Sequence, residues 1–227
     1  MNHQVPWLPF VILAAVGGIA LLRWWFSEAE KTKRAIRSTP KKPIRYVREG
    51  EVVKIVGRIK YLAKPMQAPL TGRLCAYFEA RALERHGKNS YREVAMEKGG
   101  VEFLVDDGTG HAVVDPLMLR AAVVHDNRAN SGFLREPDAR METFLSKHGQ
   151  VPTSAFGFNK RMVYKEGVFE QGETIAIVGM GRFEDDPDET ATTAGYRLRP
   201  KRLRIIAPQE GFILISDHPS VTGAARL

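Results

Sequence analysis

From Val5 to Leu22 the chain runs eighteen residues without a charged side chain. A helix over Val5–Phe26, rising about 1.5 Å per residue, would measure about 33 Å, enough to cross a hydrocarbon core. Trp7 sits near one end of the run; Arg23, Trp24, Trp25 and Phe26 close the other, where an interfacial aromatic belt belongs. A cleaved export signal competes for the same segment. Signals carry a positive residue ahead of a shorter apolar core, whereas Met1–Val5 offers only the terminal amine and His3, and Ser27-Glu28-Ala29 is a poor cleavage site. No polar face interrupts the run, which argues against a buried helix of a soluble protein. The reading is a single membrane span over residues 5–26.

The flanking charges give its orientation. Arg23, Lys31, Lys33, Arg34, Arg37, Lys41, Lys42 and Arg45 face only Glu28 and Glu30, so this collar holds +6 of the chain's +8. Positive flanks stay on the cytoplasmic side, which would leave the large domain inside a prokaryotic inner membrane. The collar acts as a topology signal or as a contact for anionic head groups, at about 1 kcal/mol per basic residue near the surface. Residues 27–50 read as a basic juxtamembrane linker, since Lys31–Pro43 is charged and shows no apolar periodicity. The lone Cys75 is compatible with a reducing compartment.

Residues 51–217 are long enough for one domain with its own core. Val52–Ile59, Leu74–Leu83, Tyr91–Met96, Val101–Val105, His111–Pro116, Arg161–Tyr164, Thr174–Gly179, Tyr196–Ile206 and Phe212–Ser216 read as strands. Pro137–His148 has apolar residues at helical spacing and Gly149 placed to end it. Residues 184–193 read as a solvated loop and 218–227 as a disordered tail. Short strands, frequent Gly and Pro, and one short helix predict a mainly β domain, barrel or sandwich-like.

Little in the residues points to chemistry. A zinc-stabilised RING needs clustered Cys and His ligands, and one cysteine with six scattered histidines does not supply them. No metal or cofactor is expected. Asp106 and Asp107 could be paired functional carboxylates, but their place before Gly108-Thr109-Gly110 is turn chemistry. Cys75, within Arg73-Leu74-Cys75-Ala76-Tyr77-Phe78, lacks a thiol-protease signature and reads as a buried core residue. The basic string Arg197–Arg204 leaves open a small barrel of the OB type that binds nucleic acid, although only Tyr196 supplies an aromatic beside it.

Several segments together resemble a known family. They are Val56-Gly57-Arg58-Ile59, Ala68-Pro69-Leu70-Thr71-Gly72, Phe103–Gly110 with Asp106-Asp107-Gly108-Thr109-Gly110, Val113-Val114-Asp115-Pro116, and Tyr164–Gly179 with Glu166, Gly172 and Gly179. This set is similar to the GIDE family, the "beside a membrane" domain of a mitochondrial membrane-anchored ubiquitin ligase and its prokaryotic relatives. The resemblance covers Val52–Ser216 and implies a membrane-adjacent domain that binds a substrate or partner. The ligase's second span and C-terminal RING have no counterpart here, so its transfer activity maps onto no residue of this chain. The expectation is a membrane-anchored, non-catalytic binding module for a protein or lipid partner. The alternatives are a component of RING-related protein modification and a membrane-tethered nucleic-acid binder.

Overall fold

A computed structural model describes residues 27–87, 90–125, 127–131, 138–151, 161–187 and 201–223. The proposed span Val5–Phe26, with Trp7, Arg23, Trp24, Trp25 and Phe26, lies outside them. Among the described residues no helix is long and apolar enough to cross a membrane.

The fold is mostly β, built on a closed five-stranded barrel. Its strands are β1 (Val52–Tyr61), β6 (Phe103–Asp106), β7 (His111–Val114), β12 (Lys201–Ile206) and β11 (Thr174–Asp185). β1 pairs with β6, β6 with β7, β7 runs parallel to β12, β12 pairs with β11, and β11 returns to β1. The circuit is of the five-stranded OB kind. Alternate side chains point inward, as the two-residue period of a strand requires. Val53, Ile55 and Ile59 meet Phe103, Val105, Ile175, Ile177, Leu203 and Ile205 in one core.

Closing so small a barrel brings strands too near for side chains at two places. A Cβ on Gly57 would fall 2.5 Å from the Asp106 carbonyl oxygen, and one on Gly179 would fall 2.4 Å from Ile205 Cγ2. At Gly179–Met180, β11 also changes partner on one edge. Residues 176–178 pair with β13 (Ile213–Ser216), and 180–185 pair with β12. β8 (Leu119–Ala121) runs parallel to β13 and extends the sheet beyond the barrel.

A second, four-stranded antiparallel sheet has the order β5 (Ser90–Gly100), β4 (Tyr77–His86), β10 (Met162–Phe169), β9 (Asn127–Ser131). Phe78, Ala80 and Ala82 of β4 share a core with Met162, Tyr164 and Val168 of β10, closed by Phe144 and Leu145 of α2 (Ala139–Lys147). β2 (Met66–Gln67) and β3 (Leu74–Cys75) form a small ribbon before β4.

Several sequence expectations change. Residues 28–38 are not a tether but a helix, α1 (Glu28–Ser38), whose Ile36 is fully buried. Ile36 packs on Val56, Ala176 and Val178, the outward side chains of β1 and β11. The tail begins with α3 (Pro219–Thr222), whose Val221 joins the same cluster; residues 224–227 lie outside the description. Leu74–Leu83 is not one strand: Ala76 breaks it by donating its N–H to Phe169 O and accepting from Val101 N, which turns the chain from the ribbon into β4.

Candidate functional site

The Ala68–Gly72 block and Glu166, separated by almost a hundred residues, meet in one place. The loop between β2 and β3 closes on itself: Gly72 N–H donates to Ala68 O at 2.8 Å, and Ala68 N–H to Arg73 O at 2.9 Å. Gly72 has φ +73°, a left-handed turn that favours glycine. Pro69 follows the buried Ala68, and Leu70 is buried beside it. Glu166, in the middle of β10 and fully buried, reaches up into this loop. Its carboxylate accepts from Leu70 N at 2.8 Å, from Thr71 N at 3.1 Å and from the Thr71 hydroxyl.

α2 supplies the opposite wall. Asp138 caps it by accepting from Met141 N at 2.9 Å, and Arg140 in its first turn lays its guanidinium over Gly72. A Cβ at position 72 would sit 2.7 Å from Arg140 Cζ, so the motif glycine leaves room for the arginine. Between loop and helix opens a cleft of about 410 Å³, lined by Thr71, Glu166 and Tyr164 on one side and Asp138, Arg140 and Met141 on the other. Both Glu166 oxygens are engaged by the loop, so this carboxylate is a clamp and not a free base. The cleft mixes polar groups (Thr71, Asp138, Arg140, Tyr164 and the engaged Glu166) with the apolar side chains of Leu70 and Met141.

Cys75 lies nearby and is buried, as its sequence context predicts. Burial first, then the charges of Glu166 and Glu170, push its thiol up to about 12, the opposite of what a nucleophile needs.

The second motif block has a different job. Asp107 Oδ1 accepts from Thr109 N and its hydroxyl, while Oδ2 accepts from Ile44 N at 2.8 Å. Burial opposes ionisation of Asp107, but these donors outweigh it and hold the carboxyl below its ordinary range. Asp106 accepts from Gly108 N and pairs with Lys60 at 2.6 Å. Gly108 takes φ +81°, and Gly110 lies directly under Ile44. The hairpin therefore pins the segment Pro43–Val47, which leads from α1, onto the barrel rim. Turn chemistry is the right reading for both aspartates. Among the described residues no group of His, Cys, Asp and Glu could hold a metal ion.

Asp115 and Pro116 start a 3-10 helix at Pro116–Met118, with Asp115 accepting from Leu117 N at 2.9 Å. Gly172, at φ +82°, makes the turn from β10 to β11.

The structure divides the basic collar. Lys31 pairs with Glu28, Lys33 with Glu30, and Lys42 with Glu51. Arg45 stacks on Tyr46 at 4.7 Å, and Arg34 lies on α1. Arg37 donates to Ser220 Oγ, and the backbone at Lys41 forms a parallel β-bridge with Lys54 of β1. Lys54 was not legible as part of the collar because it reads as a strand residue. It is about nine-tenths buried and has no carboxylate partner among the described residues. Desolvation, then Lys41 and Arg37, hold its ammonium below its ordinary range. Three cations thus gather between α1 and the barrel.

The basic string keeps little free charge where it is described. Glu184, expected in a loop, belongs to β11 and binds Arg202 Nε at 2.7 Å and Arg204 Nε at 2.6 Å; Glu102 takes Arg204 Nη1 at 2.6 Å. Residues 196–200 lie outside the description.

Comparison with protein-family models, with curated proteins and with solved structures returns no match.

Proposed function

We propose that the chain is a membrane-anchored, non-catalytic binding module of GIDE type that holds a protein or lipid partner beside the membrane. One observation carries the reading: the apolar run Val5–Phe26 is followed, after a single capping serine, by a basic helix docked on the barrel through the fully buried Ile36. A span joined to a packed helix would hold the whole barrel within a few nanometres of the bilayer. The aspartate-glycine hairpin that grips Ile44 shortens the reach further. Arg37 and Lys41, both exposed, offer positive charge to anionic head groups. The cleft between the Ala68–Gly72 loop and α2 is the place for a partner's side chain. With the collar positive, the domain faces the cytoplasm of a prokaryotic cell.

Fractionation of the full chain tests this. It should pellet with membranes, resist alkaline carbonate, and give a cytoplasmic signal from a C-terminal reporter. A freely soluble mature polypeptide lacking its first two dozen residues would sink the anchor, and an external reporter would sink the sidedness.

A role in RING-related protein modification has no residue to carry it among those described, and the Cys75 environment argues against a thiol-dependent transfer. The barrel circuit favours a third reading, a tethered nucleic-acid binder, but the carboxylates on Arg202 and Arg204 count against it.

A further inference from the structure

We propose that the 3-10 turn Pro116–Met118 and Phe212 form a second membrane contact, an apolar foot that rests in the interfacial layer and fixes the tilt of the barrel. This rests on the anchor reading above.

Leu117 is 86 % exposed, the most exposed large apolar side chain described, and Met118 and Phe212 are 49 % and 42 % exposed. Leu119 is in register with Ile213, so Met118 and Phe212 stand side by side one residue before the pair. The turn is not a loose tip. Asp115 caps it, and Pro116 packs on β5 so closely that a Cβ at Gly100 would lie 2.7 Å from Pro116 Cβ. Leu117 is therefore presented to solvent on a turn held by the Asp115 cap and by the packing of Pro116 on β5.

The position of this foot ties it to the lipid. Arg120, two residues past Met118, stacks on the Phe212 ring at 4.2 Å and pairs with Glu28 at 3.3 Å. Glu28 is the first residue of α1, two residues beyond the last aromatic of the apolar run. The chain would thus leave the bilayer beside Arg120 and Phe212. Two exposed apolar residues, an aromatic ring and an arginine grouped at that exit have the composition of an interfacial contact.

The test uses the full chain reconstituted in lipid nanodiscs, with Leu117→Cys carrying an environment-sensitive fluorophore. Cys75 is buried and stays unlabelled in the folded protein. A control probe at Tyr91→Cys sits nine residues along β5 from Gly100, about 30 Å away at strand rise. The probe at 117 should emit to the blue of the control and lose emission to lipids spin-labelled near the head group. A water-like, unquenched probe at 117 in protein that co-purifies with the disc overturns the foot and leaves the anchor standing. Protein that fails to enter the disc at all overturns both.

Discussion

Glu79 and Glu166 are both buried carboxylates on neighbouring strands, yet they are compensated in opposite ways. Glu166 is held by two backbone N–H groups and a hydroxyl, Glu79 by charge. Arg81 and Lys98 pair with Glu79, the latter at 2.9 Å, and His125 Nε2 lies 3.5 Å away. Burial alone would raise the Glu79 pKa; the approach of His125, the bond from Lys98 and the charge of Arg81 override it and bring it to about 2 from an ordinary 4.5. A depressed carboxylate stabilises the fold above its unfolded pKa and loses that contribution as pH falls through the folded one. Stability should therefore drop by roughly 3 kcal/mol between pH 4.5 and 2 on account of this group. In urea titrations at pH 7 and pH 3, Glu79→Gln should cost stability at the higher pH and much less at the lower. An equal cost at both would contradict it. Cys75 gives a second residue-scale outcome. Its thiol should resist alkylation at pH 8 until the protein unfolds, and Cys75→Ser should leave membrane association unchanged. Rapid labelling of the native protein would reopen a reactive role.

At the scale of elements, α1 decides whether the collar is a leash or a strut. Ile36 fills the apolar seat formed by Val56, Ala176, Val178 and Val221. Ile36→Ala should destabilise by about 2–5 kcal/mol and raise amide exchange along residues 28–38 before the barrel strands. Unchanged exchange there would mean the helix docks by its ion pairs alone. The helix was hard to read because only Thr32 and Ile36, four apart, are buried in it. Its beginning was nevertheless written in Ser27-x-x-Glu30, a capping-box pattern, and Ser27 does accept from Glu30 N at 3.3 Å. The strands were more legible, since the β-branched, partly alternating run Val52–Ile59 and the short apolar run Thr174–Gly179 are local signals. The aspartate-glycine hairpin also formed as read, between β6 and β7.

The whole molecule combines a barrel with an inserted second sheet, and its charge is arranged against polyanion binding on β12. Because Arg202 and Arg204 are neutralised within the fold, a fragment comprising residues 27–227 should bind single-stranded oligonucleotides without the steep salt dependence of phosphate contacts. Salt-sensitive binding by that fragment would instead favour the tethered nucleic-acid reading. Barrel closure was out of reach of pattern reading. β1 and β11 pair from Val52–Met180 to Arg58–Thr174, with more than a hundred residues between them. Nothing local records which strands will meet, because the hydrogen-bonding edge of every strand is chemically alike.

The same division runs through the candidate site. Sequence alone determined the uncharged run, the positive flank, the β-rich character and the turn role of Asp106–Gly110, because each depends on neighbours a few residues apart. Only the tertiary structure decided that Glu166 clamps the Ala68–Gly72 loop, that Arg140 covers Gly72, and that Lys54 joins Arg37 and Lys41. Those contacts exist because burying the two cores draws distant segments together, and burial is a property of the packed chain.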